Sequence, residues 1–323
     1  MTLGLADGKM GICIYFYVLS RYEQDKEYKI IGDNILDDIF QKIDNISSID
    51  IKTGLSGIGL GINYLIKNKY VEGNVNNIIK SIDDTVYKTI SDQCNLKLMD
   101  STSLIHAIHY LCTRLKEKKL TKENEFIFKE ITISTLNYMY ERLDLTSYEE
   151  SLPYTTDYFL PQLFYVFSEI YDINFYNYRL IKIIEEISNK ILSIIPILHC
   201  NKLLLLWGMN SLQRRINNNK FEKHITLIKN QIDINEILDN ELKAKNIFFN
   251  NGYASIYPLL YLVKDKIAKS EMDIYKNCIY TKLSSPDILE FHINKSKDHN
   301  SNRFFYSGLC GTILMSYFIK KTI

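Results

Sequence analysis

The segment Thr53-Gly54-Leu55-Ser56-Gly57-Ile58-Gly59-Leu60-Gly61-Ile62 places two glycines three residues apart at the start of an apolar stretch. The same G-x-x-G spacing recurs in Gly8-Lys9-Met10-Gly11 and Gly308-Leu309-Cys310-Gly311, and a degraded copy stands at Gly252-Tyr253-Ala254-Ser255. Glycines three apart lie on one side of a helix start, where the missing side chains let a turn and a neighbouring helix approach closely. The motif therefore predicts the starts of closely packed helices.

The glycine motifs recur with a regular period. Gly8 and Gly54 are 46 residues apart, and Gly252 and Gly308 are 56 apart. The 198 residues from Gly54 to Gly252 divide into four steps that average 49.5. A period of this length is typical of helical repeats, whose units bury their apolar faces against one another. The chain is therefore predicted to consist of seven units of about 50 residues.

Each unit begins with a helix that is apolar on nearly every face and continues with a helix that has a single apolar stripe. The predicted apolar helices cover residues 9–21, 54–66, 103–115, 158–170, 203–212, 256–263 and 304–320. The predicted amphipathic helices cover residues 28–43, 75–90, 122–142, 178–191, 225–232 and 268–282. An apolar helix must be surrounded by protein, whereas a one-stripe helix has a solvated face. The pattern predicts an all-α fold with inner apolar and outer amphipathic helices, and it leaves a closed ring and an open solenoid as alternatives.

Composition and charge argue against several functional classes. The 323 residues carry a net charge of +1 without a basic stripe, which argues against a nucleic-acid partner. Apolar runs stay short of the roughly 20 residues that cross a bilayer, and Met10 to Leu19 lacks the basic flank and cleavage site of a signal peptide. The six cysteines form no C-x-x-C pair, which predicts free, buried thiols in a reducing cytoplasm.

The chain resembles the lanthionine synthetase C-like family. The matching phrases are Gly8-Lys9-Met10-Gly11-Ile12, the segment from Thr53 to Ile62, and Ser307-Gly308-Leu309-Cys310-Gly311. The resemblance implies one α/α toroid domain of seven helical hairpins over residues 1–323, with a leading outer helix expected to be missing. It also implies a role in the maturation of a ribosomally synthesised, lanthipeptide-like peptide, with a precursor peptide and peptide-modifying enzymes as partners.

Enzymes of this family bind zinc through a Cys in a W-C-Y-G phrase and a Cys-His pair in a C-H-G-x-A-G phrase one repeat later. The zinc activates a substrate thiol, which then adds to a dehydrated Ser or Thr. Here the second phrase reads Asn250-Asn251-Gly252-Tyr253-Ala254-Ser255. Neutral amide oxygens are poor zinc ligands compared with thiolate and imidazole, so no metal or other cofactor is expected. Cys200 lies 50 residues before Asn250, yet its surroundings do not match the first phrase.

Polar residues near the predicted starts of inner helices are candidates for binding an extended peptide at a cavity mouth. These candidates are Asp7, Lys9, Asp157, Asn201, Asn250, Asn251, Tyr253 and Tyr306. Their amide, hydroxyl and charged groups offer hydrogen bonds to a peptide main chain. The aromatic-rich stretch from Tyr154 to Tyr178 is mainly explained by core packing, with a few rings available to line a groove.

Two alternatives remain open at the level of sequence. An active cyclase or thiol-adding enzyme would need unusual metal ligands, for which Cys200, His199, His106 and His109 are the candidates, with Cys112 following His109 at helical spacing. A carbohydrate-active toroid would use Asp157, or Glu149 and Glu150, which follow each other in the sequence. The polar loop from Asn294 to Arg303 is predicted to be solvated and to edge the cavity mouth.

Overall fold

The computed structural model describes residues 1–117, 120–145, 152–295 and 303–322, with only the backbone described at Lys295. Every regular element within these residues is a helix, so the predicted all-α class is confirmed. The described residues form two compact units. Unit 1 comprises Met1–Met99, Ile247–Phe249 and the described part of Asn277–Ile323, and unit 2 comprises Asp100–Asn246 and Asn250–Lys276. The single domain over residues 1–323 stays a prediction.

Unit 1 is built from helices that pair as the sequence predicts. Its helices are α1 (Lys9–Glu23), α2 (Lys26–Lys42), α3 (Leu55–Lys67), α4 (Val75–Ile78), α5 (Lys80–Ser91), α6 (Gln93–Leu98), α16 (Pro286–Lys295) and α17 (Leu309–Thr322). The apolar helix α1 packs against α2, α3 and α17, and α3 packs against α5. Apolar helices thus lie beside one another, and the amphipathic α2 and α5 cover them.

Unit 2 repeats this arrangement. Its helices are α7 (Ser101–Leu115), α8 (Lys122–Glu141), α9 (Phe159–Ile173), α10 (Asn177–Ile191), α11 (His199–Ile216), α12 (Asn219–Asn230), α13 (Ile234–Glu236) and α14 (Tyr253–Leu260), and α15 (Lys269–Leu283) begins here and ends in unit 1. The apolar helices α7, α9, α11 and α14 pack in sequence order. The amphipathic helices α8, α10 and α12 each pack against their predicted partner.

Two kinds of cap start these helices. Many amphipathic helices begin with a side-chain cap, and so does the apolar helix α7. At the start of α7 the Asp100 carboxylate accepts a hydrogen bond of 2.7 Å from Ser103 N. The helices of the glycine motif use close backbone packing instead. Gly54 caps α3, and a β-carbon at this position would lie 2.4 Å from Ser48 O. The glycine is therefore required by the approach of the preceding loop.

The structure differs from the sequence prediction at several boundaries. The predicted helix 75–90 is interrupted because Ile79 adopts φ −101° and ψ 16°, which separates α4 from α5. Helices α6 and α16 were not predicted. Asn294 and Lys295, which were predicted to begin a loop, belong to α16. The last helix begins at Leu309 rather than Phe304, since Tyr306 N donates to Ala6 O at 2.9 Å and holds this stretch as a turn.

The thiol prediction is confirmed in its main point, since all six cysteines are free. Cys13, Cys112 and Cys200 are buried, whereas Cys94 is exposed and the remaining two are half-buried. No helix in the described part of the chain is both long and apolar enough to cross a membrane.

Candidate functional site

The start of α14 carries Asn250 and Asn251, the two carboxamides that directly precede Gly252. Gly252 caps the helix, and Tyr253 N donates to Asn246 O at 3.1 Å. A β-carbon at Gly252 would lie 2.2 Å from Asn246 O, so a tight turn fixes the backbone of this stretch. Residues 250 and 251 therefore stand in a defined position directly before the helix.

The two carboxamides have different surroundings. Asn246 Nδ2 donates to both Asn251 O, at 3.0 Å, and Asn251 Oδ1, at 2.9 Å. The main-chain oxygen of Asn250 accepts hydrogen bonds from Thr156 N at 2.7 Å and Thr156 Oγ1 at 3.0 Å. Asn250 Oδ1, in contrast, is buried and has no hydrogen-bond partner among the described residues. Asn251 thus stabilises the turn, whereas the side-chain oxygen of Asn250 can still accept a hydrogen bond.

Residues 152–157, here called the strap, run before α9 and connect the starts of α11 and α14. Leu152 O accepts a hydrogen bond of 2.8 Å from Asn201 Nδ2 on α11. The Tyr154 hydroxyl lies 2.7 Å from Ser255 Oγ on α14. Thr156 of the strap also donates to Asn250 O, so Asn201 and Asn250 are both hydrogen-bonded to the strap. Asn201 is 2% exposed, and its Oδ1 also lacks a hydrogen-bond partner within the described chain.

The start of α11 holds His199 and Cys200, two of the weak metal candidates, in a structural role. The Glu241 carboxylate accepts hydrogen bonds from His199 N at 2.6 Å and Cys200 N at 2.8 Å, which caps the helix with a negative charge. His199 Nδ1 accepts from Asp233 N at 3.1 Å. Burial, followed by the nearby Glu241, raises the pKa of the Cys200 thiol far above its usual range. The thiolate that a metal needs is therefore disfavoured.

His106 and His109 lie on α7, and the second is engaged with an acidic residue. His109 Nδ1 contacts the carboxylate of Glu169 on α9, and Lys116 Nζ donates to the same carboxylate at 2.8 Å. Glu169 is 4% exposed, and although burial opposes ionisation, the hydrogen bonds from His109 and Lys116 lower its pKa. Cys112 is fully buried and its thiol pKa is raised by that burial. This arrangement is a buried ion cluster, and the three α7 candidates do not converge as ligands.

The remaining cavity-mouth candidates of unit 2 are Tyr253 and Asp157. Tyr253 is 2% exposed, and its hydroxyl donates to Leu238 O at 2.9 Å, so its side chain is used for packing. Asp157 is half-buried at the end of the strap, where its N–H donates to Thr155 Oγ1 at 3.2 Å. Glu149 and Glu150, the other carboxylates of the carbohydrate hypothesis, lie outside the described residues, as does most of the loop from Asn294 to Arg303.

Three candidates belong to unit 1. The Asp7 carboxylate accepts hydrogen bonds from the main chain, at 3.2 Å, and the hydroxyl of Ser307. Lys9 forms an ion pair with Asp38 of α2. Tyr306 is half-buried, with Lys52 Nζ 5.5 Å from the centre of its ring. Asp7 and Tyr306 therefore lie together where the residues before α1 meet those before α17, whereas Lys9 is directed towards α2.

The donor set at the start of α14 does not fit a zinc ion. Both positions before Gly252 carry neutral amides, which bind zinc poorly. Within residues 1–117, 120–145, 152–294 and 303–322, no three His, Cys, Asp or Glu side chains are arranged to hold a metal.

Comparisons with known proteins identify the fold. The structure is similar to that of nisin cyclase, with a TM-score of 0.61 and 14% sequence identity over 100% of this chain and 89% of that chain. No family model matches the sequence, and no curated protein matches it either. The similarity confirms the predicted α/α toroid class and supports a lanthionine synthetase C-like fold.

Sequence reasoning missed the groups that organise this site. Tyr154, Thr156 and Glu241 lie far along the chain from their partners, and no local pattern distinguishes them from other loop residues. One signal was present, because Ser255 stands where the other motifs keep a second glycine. A side chain at that position indicates that a different segment packs against this helix start than against the starts that keep the second glycine.

Proposed function

We propose that the chain is a zinc-free, peptide-binding factor in the maturation of a ribosomally synthesised peptide. The observation that carries the proposal is the fold shared with nisin cyclase, a protein whose name describes the cyclisation of a peptide. The replacement of the Cys-His pair by Asn250 and Asn251 favours binding over zinc-dependent chemistry.

The carboxamides supply the groups that recognise a peptide. A buried acceptor without a partner costs free energy, and a donor from a ligand recovers that cost. Asn250 Oδ1 is such an acceptor, while the strap and the turn at Asn246 hold the backbone of residue 250 in place. Asn250 as a whole is half-buried. Main-chain N–H groups of an extended peptide are donors of this kind.

The test first searches for a short open reading frame beside the gene. The peptide that it encodes is labelled with fluorescein and titrated with the protein in an anisotropy assay. We expect Asn250→Ala to weaken binding about tenfold, which is the loss of one hydrogen bond to a buried acceptor. Asn124→Ala is the matched control, because Asn124 is exposed on α8. Equal affinity of Asn250→Ala and the native protein would contradict the assignment of the site.

Metal analysis separates this proposal from an active zinc cyclase. Protein purified under reducing conditions is expected to contain no stoichiometric zinc, and the thiols of the bound precursor are expected to remain free by mass spectrometry. Stoichiometric zinc that is lost in Cys200→Ala, together with consumption of peptide thiols, would instead establish an enzyme with unusual ligands.

A further inference from the structure

Unit 1 contains an apolar pocket that is separate from the carboxamides. Its volume is about 420 Å³. Helices α1, α3 and α17 provide most of its wall, and residues before α1, α14 and α17 complete it. The lining includes Leu5, Val18, Tyr22, Tyr64, Phe305 and Leu314. The volume falls within the range of roughly 300–1,000 Å³ that is typical of ligand sites.

The chemistry of the pocket selects for an apolar ligand. None of its lining residues carries a charge, so nothing there pairs with a phosphate or a carboxylate. The Tyr22 hydroxyl donates to Tyr317 O at 3.1 Å, which uses its polar group inside the protein. Phe318 and Tyr64 remain 57% and 41% exposed. Concave apolar surface of this kind is characteristic of a binding site.

The pocket adjoins the residues of unit 1 that the sequence nominates for peptide binding. Leu5 and Phe305 line it, and Asp7 and Tyr306 follow them by two residues and one residue. The bond from Tyr306 N to Ala6 O, at 2.9 Å, joins the two segments and fixes this part of the wall. A peptide held beside Asp7 and Tyr306 would therefore have an apolar pocket next to its main chain.

We propose that this pocket binds an aromatic side chain of the peptide ligand, an inference that rests on the proposed peptide-binding function. Aromatic rings gain most from such a site because they bury a large apolar area and form edge-to-face contacts with surrounding rings. Tyr22 and Tyr317 already form one such contact, with ring centres 5.1 Å apart.

The direct test measures the affinity of N-acetyl-phenylalaninamide and N-acetyl-alaninamide by ligand-observed NMR. The phenylalanine derivative is expected to bind the native protein at least about tenfold more tightly than the alanine derivative. Leu314→Trp fills the pocket and is expected to abolish that preference. Val18→Phe is a second, smaller filling variant, and circular dichroism verifies that each variant is folded. Leu98→Trp is the matched control, because Leu98 lies on α6 and is 86% exposed.

The outcomes distinguish this inference from the proposed function. Failure of the phenylalanine derivative to bind the native protein, or equal binding to a folded, filled variant, would overturn the inference. If the precursor peptide still binds and depends on Asn250, the proposed function then stands alone. Conversely, a phenylalanine preference that is lost on filling supports the pocket even if the chosen precursor does not bind.

Discussion

The starts of α3 and α14 use the same backbone solution with different side chains. Gly54 and Gly252 both cap their helices where a β-carbon would meet a loop carbonyl, at 2.4 Å and 2.2 Å respectively. Three residues later the helices diverge. At Gly57 a β-carbon would lie 1.9 Å from Ile51 O, whereas α14 has Ser255 at the corresponding position.

Ser255 replaces a close helix–loop contact with hydrogen bonds. Its hydroxyl donates to Gly252 O at 2.7 Å and lies 2.7 Å from the Tyr154 hydroxyl of the strap. The fourth glycine motif is thus modified to accept the strap, and the strap in turn holds Asn250 by its main chain. Glycine is thus kept as the cap of both helices because a loop packs closely against it, although the side chains at the start of α14 have changed.

The largest expected effect comes from placing the residue of α14 into α3. Gly57→Ser is expected to lower the free energy of unfolding by about 3 kcal/mol, because the new side chain collides with the main chain at Ile51. Urea denaturation measures the change. Gly32→Ala is the control, since the nearest atoms to its β-carbon belong to the Tyr17 ring at 3.2 Å. Equal losses in the two variants would show that the close approach of the Ile51 carbonyl is not what requires glycine at position 57.

The next prediction compares an ion cluster of each unit. Glu169→Gln in unit 2 is expected to cost about 2 kcal/mol at pH 7, because it leaves the Lys116 ammonium beside a buried neutral amide and weakens the contact with His109. The expected loss is smaller than for a fully buried ion pair, because the Lys116 and His109 side chains are 43% and 26% exposed to water. Asp38→Asn in unit 1 is the control. The Asp38 side chain keeps 29% exposure to water, against 5% for Glu169, so a smaller loss is expected.

The pH dependence of stability provides a second measurement of that prediction. Despite burial, the bonds from His109 and Lys116 lower the pKa of Glu169 in the folded state. Its contribution to stability is therefore complete above the unfolded value of about 4.3 and is lost as the pH falls through the folded pKa. The native urea midpoint should decrease in this acidic range more steeply than that of Glu169→Gln. Parallel curves would show that Glu169 is not stabilised as an anion.

The fold was predictable because its signals are local. The glycine caps at Gly8, Gly54 and Gly252 and the apolar stripes recur at helical spacing, so most of the long helices can be recognised within their own segments. The interruption at Ile79 was not predictable, since the apolar stripe continues through it. Residue periodicity records which face is buried, and it does not record a local change of backbone angle.

The site was predictable only in part. Asn250 and Asn251 were found because they occupy a recognisable phrase, and Asn201 was nominated by its place at a helix start. The partners of these residues could not be found in the same way. Tyr154 and Ser255 are 101 residues apart, and such a contact depends on how complete helices pack. Ion clusters such as that of Glu169 are equally dependent on packing between helices.

The smallest expected effect concerns the hydrogen bond that distinguishes α14 from α3. Tyr154→Phe removes the hydroxyl that lies 2.7 Å from Ser255 Oγ and is expected to cost about 1 kcal/mol of unfolding free energy. Ser255→Ala should cost a similar amount, since it leaves the Tyr154 hydroxyl buried without this partner. The double variant should then cost less than the two single variants added together, because one interaction is removed only once.

A double-mutant cycle from urea denaturation measures this coupling, and the precursor titration shows whether it reaches Asn250. If the strap positions Asn250, both single variants should also weaken peptide binding, by less than Asn250→Ala itself, because Thr156 still holds the main chain of residue 250. Additive losses of stability would show that the two hydroxyls act independently. The difference between α14 and α3 would then be one of space alone, and the Tyr154 hydroxyl would have no part in arranging the carboxamides.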